Sequence, residues 1–272
     1  MMISAAAGRR TLLLASLALG IGGPARAQGL AAVAGHAEPA GAVMFDSQRD
    51  ACEDGDFPDT PARAFRDAAG TVHLLATHVR NRQMLGPTLR QVTHDCRVVF
   101  EGRRDPRPEA HDDYGWLVAP FTLDGRTIYS LIHNEFHGNE RPSLCPSRSY
   151  LRCWDNAITW AVSRDAGYRF QRPPGAGALV AALPYPYVGD RARQTGYFNP
   201  TNIVAHAGFF YAMFTMIDAV RGDWGVCLMR TPDIANPAGW RVWDGQKFTL
   251  RQAGPSAVGA AVRVKRVAAL VS

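Results

Sequence analysis

Short runs of apolar residues, separated by Gly, Pro, Asp and Asn, make up most of this chain, and helical periodicity is rare after the first residues. The clearest example is the segment 116–138, WLVAPFTLDGRTIYSLIHNEFHG, in which two apolar runs flank Asp124 and Gly125. An Asp-Gly pair between two such runs predicts a β-hairpin. The second run ends in His133, Glu135 and His137, and this alternate spacing places all three on one face of a strand. The pattern predicts a hairpin that ends in a polar site.

Three parts of the chain repeat the same order: a polar lead, a first strand, a turn and a second strand. The polar leads begin at Asp59, His111 and Gly196. Each hairpin is followed by a weaker unit that ends in aromatic residues, and these units span residues 94–100, 157–170 and 225–243. Four strands in each repeat are typical of a β-propeller. A β-sandwich also has regularly spaced strands, but the repeated order favours an all-β propeller of four-stranded blades.

Several short motifs support this interpretation. Residues 163–170 are similar to the Ser-x-Asp-x-Gly-x-x-Phe turn of sialidase-like propeller blades, and residues 231–240 resemble a blade ending of five-bladed glycosidase propellers. Arg104, Asp105 and Pro106 match the Arg-Asp-Pro motif of invertase-like enzymes. From residue 59 to residue 248 the chain therefore resembles secreted five-bladed propellers of the arabinanase, xylosidase and invertase type. The Asn-Asp-Pro-Asn-Gly and Glu-Cys motifs of the invertases are absent.

The chain divides into four segments. Residues 1–27 are predicted to be a signal peptide, because Arg9 and Arg10 precede an apolar run and an Ala-x-Ala pattern ends at Ala27. A lead-in follows at 28–58, the blades occupy 59–249, and an atypical tail covers 250–272. Because closed propellers have about four to eight blades and about three units are visible, the propeller is expected to be incomplete, or to contain blades that the pattern does not reveal. The predicted location is secreted or periplasmic.

Disulfides are permitted outside the cytoplasm, and the chain has five cysteines. Cys145 and Cys153 enclose a short loop and are predicted to be bonded, while the odd count leaves one thiol unpaired or paired outside this chain. The net charge of +6 is dispersed rather than clustered, which argues against a nucleic-acid partner. No membrane contact is expected after signal removal, and a monomer is expected.

The geometry of a propeller brings together the residues before the first strand and those after the second strand of each blade, because these two strands are antiparallel. The resemblance to glycosidases implies paired carboxylates that act as acid and base. The residues predicted to be catalytic are Asp59, Asp112 and Glu135. The residues predicted to bind substrate are Arg63, His78, Asp113, His133, Tyr197 and Asn199.

Within that set, Asp59 corresponds to the base, Asp112 or Asp113 to the carboxylate that tunes the other pKa values, and Glu135 to the acid. Burial and neighbouring carboxylates are expected to raise the pKa of Glu135. In the family, however, the acid usually stands on the first strand of a later blade, where this chain has Asn199.

No cofactor is predicted, although His133, Glu135 and His137 could alternatively hold a divalent metal. The expected partner is a glycan or small sugar. A second hypothesis is a non-catalytic sugar-binding propeller, and a third is a truncated propeller fragment without activity.

Overall fold

The computed structural model describes residues 43–250, and almost all regular structure in this range is β-strand. One short helix, α1 (Ser47–Asp50), precedes the first strand. Within the described range, no helix is long and apolar enough to cross a membrane. The 3-10 turns that separate strands lie at Leu89–Gln91, Pro108–Ala110, Gly138–Glu140, Gly175–Ala178 and Pro237–Gly239.

The first unit is a four-stranded antiparallel sheet in which each strand pairs with the next along the chain. The side chain of Asp67 accepts the backbone N–H groups of Ala69 and Thr71, and these bonds fix the turn between the first two strands. This up-and-down order is that of a propeller blade. The strands are β1 (Arg63–Arg66), β2 (Val72–Leu75), β3 (Arg80–Gly86) and β4 (Thr93–Glu101).

The second unit repeats this order around the hairpin at Asp124 and Gly125. Asp124 Oδ1 accepts the N–H groups of Arg126 and Thr127, both at 2.8 Å, and Gly125 has a φ of 67°, where glycine is favoured. The predicted hairpin is therefore present. The strands are β5 (Tyr114–Thr122), β6 (Ile128–His137), β7 (Trp154–Ser163) and β8 (Leu179–Ala181).

The turn after β7 is held by side-chain hydrogen bonds of Ser163. Ser163 Oγ donates to Asp165 Oδ1 at 2.6 Å and accepts the N–H of Gly167 at 2.8 Å. Gly167 has a φ of 97°, and the side chain of Phe170 is buried in the core. These bonds and the buried Phe170 fix the turn between β7 and the segment that follows it.

The third unit begins with a broken strand. Two short strands, β9 (Thr195–Phe198) and β10 (Val204–His206), pair with opposite ends of β11 (Phe209–Asp218), and Asn199 lies between the two short strands with a φ of 46°. The pairing of β10 with β11 matches the third predicted hairpin, and β11 then pairs with β12 (Asp223–Thr231). The strands are β9 (Thr195–Phe198), β10 (Val204–His206), β11 (Phe209–Asp218), β12 (Asp223–Thr231), β13 (Arg241–Trp243) and β14 (Phe248–Leu250).

A parallel contact between β7 and β9 joins the second and third units into one ten-stranded sheet. Gly196 pairs with Asn156 at this contact and has a φ of 118°. A Cβ atom at Gly196 would lie 2.1 Å from the carbonyl oxygen of Asn156. Only glycine permits so close an approach of two backbones. The sequence pattern did not indicate this junction.

Two apolar cores support the sheets. The larger core packs side chains of the second and third units, including Leu131, Ile158 and Phe214. The smaller core packs the first unit against the second through residues such as Leu75 and Ile132. The alternation of buried and polar positions along the strands is what allows these faces to pack. The prediction of an all-β propeller class is confirmed. The first two units have the four strands of a predicted blade, whereas the third has a broken first strand and an additional edge strand, β14.

Two disulfides lie within the described range. Cys145 and Cys153 are bonded as predicted, with their Cα atoms 6.0 Å apart. Cys52 is bonded to Cys96, and Cys227 is a buried free thiol. The predicted signal peptide at 1–27 lies outside the described residues, as does the tail beyond Leu250, where β14 ends.

Candidate functional site

A cavity of about 470 Å³ opens where the first strands of the three units come together. Asp59 and Thr60 precede β1, Trp116 lies in β5, and Phe198 and Asn199 lie at the end of β9. We call this cavity the His-Glu-His pocket, because its floor carries the three polar residues at the end of β6. The antiparallel hairpins bring strand starts and strand ends to one place, as the sequence predicted.

The floor consists of His133, Glu135 and His137, which alternate along β6 and share one face. Glu135 bonds both histidines at once: its Oε1 lies 2.7 Å from His133 Nε2, and its Oε2 lies 2.6 Å from His137 Nε2. The hydroxyl of Tyr150 lies 3.5 Å from Oε2. The carboxylate of Glu135 is therefore held in place on both sides.

Backbone geometry fixes the proton on His133. The N–H of Asn199 donates to His133 Nδ1 at 3.2 Å, so this nitrogen is an acceptor and Nε2 carries the proton that Glu135 accepts. The side-chain amide of Asn156 lies 3.2 Å from the same Nε2, while its Oδ1 is buried without a partner. Turning this amide over places Oδ1 against the Nε2–H group. Asn156 thus reinforces the orientation of His133.

The pKa of Glu135 lies below its ordinary value. Burial alone raises the pKa, but the hydrogen bonds from His133 and His137 to the carboxylate outweigh it. This direction is opposite to the one expected from the sequence. Glu135 is consequently an ionised carboxylate at neutral pH and not a proton donor.

Aromatic rings form the walls of the pocket. Tyr150 stacks on Trp154 with ring centroids 4.8 Å apart, and Trp154 meets Phe198 edge-on at 5.4 Å. On the other side, the ring of Tyr114 lies 4.1 Å from that of His137. Tyr150 reaches the pocket from the loop that the Cys145–Cys153 disulfide closes. The signal that could have identified it was an aromatic residue inside a short bonded loop.

The carboxylate of Glu140 lies next to the ring nitrogen of His137 that does not face Glu135. The carboxylate of Glu140 accepts from Arg104 at 2.6 Å and from the hydroxyl of Tyr114 at 2.7 Å, and it lies 3.5 Å from His137 Nδ1. The guanidinium of Arg104 also covers the ring of Tyr114 at 3.3 Å. Arg104 of the Arg-Asp-Pro motif therefore supports the site from outside. Its neighbour Asp105 pairs with Arg107 instead, which lowers the pKa of Asp105 to about 2.

Asp112 and Asp113 do not line the pocket, contrary to the prediction that one of them would. Asp112 is 4% exposed and is paired with Arg103 and, at 2.8 Å, with Arg172. Because arginine partners already neutralise it, Asp112 cannot tune the pKa of Glu135 from within the pocket.

Asp113 is 1% exposed and pairs with Arg104 at 3.1 Å and Arg141 at 2.7 Å. It also accepts the backbone N–H of His137 at 3.0 Å, while Arg141 donates to the carbonyl of His137 at 2.8 Å. Asp113 and Arg141 together therefore fix the backbone at the end of β6. Asp113 positions the floor of the pocket instead of contacting a ligand.

Arg63 and Tyr197 also lie outside the pocket. Arg63 donates to the adjacent carbonyl of Ala62, and Tyr197 is fully buried against Phe214 with ring centroids 4.7 Å apart. Tyr197 faces the core because its neighbour Phe198 faces the pocket, as alternation along β9 requires. The predicted residues that the structure does bring together are Asp59, His78, His133, Glu135 and Asn199.

The donors at the floor do not converge on a metal position. Each histidine bonds a different oxygen of Glu135. Within residues 43–250, the sets of three ligand atoms that lie within 4.8 Å of one another are Cys52, Asp56 and His94, and Cys145, Cys153 and Asp190. Both sets contain cysteines that are bonded in disulfides, so neither offers a thiolate.

No protein family model and no curated protein matches the chain. Among solved structures, it is similar to a GH32 beta-fructofuranosidase from Bombyx mori, with 15% identity and a TM-score of 0.35 over 67% of this chain and 34% of that chain. It is also similar to an alpha-L-arabinanase from Cellvibrio cellulosa complexed with arabinohexaose, with 12% identity and a TM-score of 0.34 over 73% and 77% of the two chains. It is similar as well to an exo-1,5-alpha-L-arabinanase from a bovine ruminal metagenomic library, with 10% identity and a TM-score of 0.33 over 71% of this chain and 76% of that chain.

Proposed function

We propose that this chain is a glycoside hydrolase-like propeller protein that binds a glycan in the His-Glu-His pocket. The observation that carries the proposal is that two carboxylates, Asp59 and Glu135, and several flat aromatic side chains line one cavity of about 470 Å³. Hydroxyl groups of a sugar bond carboxylates and imidazoles, while its apolar faces pack on aromatic rings. Cavities of roughly 300–1,000 Å³ are typical of small-ligand sites.

The environment of each carboxylate suggests its role. Glu135 is ionised and held by two histidines, so it fits the nucleophile or base of a glycosidase. Asp59 lies at the mouth of the pocket, where its carboxylate is 3.9 Å from His78 Nε2 and its side chain is 45% exposed. As the other carboxylate of the pocket, Asp59 is assigned the role of the acid that protonates the leaving oxygen. These roles are the reverse of those expected from the sequence.

Tyr150 links the two carboxylates. Burial, the charge and hydrogen bond of Glu135 and the charge of Asp59 all raise the pKa of this tyrosine. The hydroxyl therefore stays protonated and donates a hydrogen bond toward Glu135. Because the charges of both Asp59 and Glu135 raise the pKa of Tyr150, both carboxylates lie near its hydroxyl, which supports a shared site.

The test is a titration of arabinan, xylan and fructan oligosaccharides into the purified protein, combined with assays of aryl glycosides that have good and poor leaving groups. We expect at least one oligosaccharide to bind and to be cleaved. Asp59→Asn should reduce cleavage of the poor leaving group by at least about 100-fold and affect the activated substrate much less, because an activated group departs without a proton.

The matched control is Asp54→Asn, which removes an exposed aspartate outside the pocket. It should leave binding and cleavage unchanged. If no oligosaccharide binds, or if Asp59→Asn affects both substrates equally, the proposed site or the proposed role of Asp59 is wrong.

A non-catalytic sugar-binding propeller is the second candidate. The observation that favours it is that His133 and His137 already occupy both oxygens of Glu135. This hypothesis predicts binding without cleavage by the wild-type protein. The same titration and assay therefore separate the two candidates.

We also propose that the protein is exported to an oxidising compartment. The two disulfides, Cys52–Cys96 and Cys145–Cys153, support this location, because structural disulfides persist outside the cytoplasm. N-terminal sequencing of exported material should begin at Gln28. A mature protein that still carries Arg9 and Arg10 would contradict the proposed cleavage.

A further inference from the structure

A second cavity of about 390 Å³ lies on the opposite face of the β6–β7 pair from the His-Glu-His pocket. Asn134 and Phe136 alternate with Glu135 along β6, so their side chains point to the other face. Asp155 of β7 is the register partner of Phe136 and shares that face. We call this space the Asp155 cavity.

The carboxyl of Asp155 has no cationic partner within 4 Å among residues 43–250, and its hydrogen bond comes from the backbone of Asn156. Arg191 also lines the cavity, but its guanidinium donates to the carbonyls of Val188 at 3.1 Å and Pro186 at 2.9 Å. Burial raises the pKa of Asp155 to about 7, and the charge of Arg191 only partly opposes this effect. The carboxyl thus has no ion-pair partner, and the backbone of Asn156 and the charge of Arg191 stabilise its ionised form only in part.

The walls around Asp155 are mainly aromatic and aliphatic. Phe136 meets Tyr187 edge-on with ring centroids 4.8 Å apart, and Leu144, Leu183 and Tyr185 complete the surface. The hydroxyl groups of both tyrosines are engaged elsewhere: Tyr187 donates to the carbonyl of Cys153 at 3.1 Å, and Tyr185 to Asp218 at 3.2 Å. Their rings are therefore available to cover an apolar or cationic group.

The side chains that line the cavity have a net negative charge once Asp155 is ionised. Glu109 and Asp155 are acidic, and Arg191 is basic. Burial and the charge of Arg172 lower the pKa of His111 to about 4, so this imidazole is neutral at physiological pH. One positive charge on a ligand would neutralise the site.

We propose that the Asp155 cavity binds a small primary ammonium ion attached to a compact ring. The ammonium pairs with the carboxylate of Asp155, the aromatic rings of Phe136, Tyr185 and Tyr187 cover the attached ring, and His111 offers a neutral hydrogen-bonding nitrogen. The site is separate from the glycan pocket, and the inference does not depend on the proposed function.

Ligand affinity should depend on pH because an ammonium ion binds the ionised carboxylate. With a carboxyl pKa near 7, binding at pH 5 requires Asp155 to lose a proton, whereas at pH 8 it is already ionised. The apparent affinity should therefore be roughly 100-fold weaker at pH 5 than at pH 8. The pKa of His111 is lowered to about 4 and those of Tyr185 and Tyr187 are raised, so these three groups keep their charge over this range.

The experiment is a calorimetric titration of benzylamine and, separately, glucosamine into the wild-type protein at pH 8 and pH 5. Benzyl alcohol and glucose serve as neutral isosteres. The two amines distinguish a simple ring amine from an amino sugar, and the pH comparison is made with benzylamine, which stays protonated at both pH values. We expect at least one amine to bind, its isostere to bind at least about 30-fold more weakly, and its affinity to fall on acidification.

Asp155→Asn should weaken amine binding by at least about 30-fold, while Asp54→Asn, on the surface, should leave it unchanged. The pH dependence is measured on the wild-type protein, so it remains decisive even if the Asp155 variant folds poorly. Equal binding of amine and isostere, equal affinity at both pH values, or binding that survives in a folded Asp155→Asn variant would each overturn the proposal.

Discussion

The two faces of the β6–β7 pair each place a carboxyl group in a cavity, yet the two groups have opposite pKa shifts. Glu135 is buried, and its pKa is lowered because His133 and His137 donate to both of its oxygens. Asp155 is partly buried, and its pKa rises to about 7 because burial has no comparable opposition. The two residues lie only a register step apart, since Glu135 pairs with Asn156 and Phe136 with Asp155.

The comparison shows that burial does not determine ionisation by itself. Removal from water raises the pKa of either carboxyl, and nearby donors reverse the effect only where they reach the oxygens directly. Alternation along a strand sends adjacent residues to different environments, so one hairpin can present an ionised and a protonated acid back to back.

The largest expected effect concerns the pH dependence of stability at Asp155. Its folded-state pKa lies above the unfolded value, so the unfolding free energy should fall as pH rises from about 4 to about 7, by at most about 4 kcal/mol. Asp155→Asn should remove this dependence. Chemical denaturation at pH 5 and pH 8 tests it, and an identical pH dependence in both proteins would contradict the assigned shift.

The second prediction tests Glu135, the ionised carboxylate of the two that are compared. Glu135→Gln should reduce any glycan hydrolysis by at least about 100-fold while glycan binding persists, because the amide can still bond the histidines but cannot act as a base or nucleophile. Glu101→Gln, at an exposed position of β4, is the control. Unchanged hydrolysis in the Glu135 variant would remove this residue from the catalytic role.

The third prediction uses the disulfide that borders both cavities. Its loop carries Tyr150 into the His-Glu-His pocket, and the carbonyl of Cys153 accepts the hydroxyl of Tyr187 on the other face. Replacing Cys145 and Cys153 by serine should lower the unfolding free energy by about 2–3 kcal/mol, since a short loop is no longer closed. Denaturant melts measure this loss, and ligand binding should weaken in both cavities, whereas weakening in one alone would show that the loop supports only that side.

The smallest expected effect is a shift in the pKa of Glu135 toward the raised pKa of Asp155 when one histidine donor is removed. His137→Phe removes one of the two donors, so the pKa of Glu135 should rise from its lowered value. A carboxyl-carbon NMR titration can follow Glu135 and Asp155 in the same sample. His206→Phe, on exposed β10, should change neither pKa. If Glu135 is unaffected by the loss of His137, the explanation from direct donors fails.

Features that depend on nearby residues could be predicted from the sequence. The hairpin at Asp124 and Gly125 and the Cys145–Cys153 bond each arise within a short segment. The meeting of Asp59, His78, His133, Glu135 and Asn199 could also be predicted, because antiparallel strands dictate where their ends lie.

Features that depend on distant partners were missed. Asp112 is removed from the pocket by Arg172, which lies 60 residues later, and no local pattern reveals that contact. The pKa of Glu135 was misjudged because burial was considered and its two histidine donors were not. The Asp155 cavity is assembled from segments as far apart as Pro108 and Arg191, so its chemistry appears only in the folded chain.

The parallel contact between β7 and β9 at Gly196 also affects which strands unfold together. It makes the second and third units one continuous hydrogen-bonded sheet, whereas the first unit forms a sheet of its own. The ten strands should therefore open as a single cooperative block in amide hydrogen exchange, and β1–β4 should open as another. Because both cavities draw on the larger block, their occupancy should slow exchange across its strands more than across the first sheet.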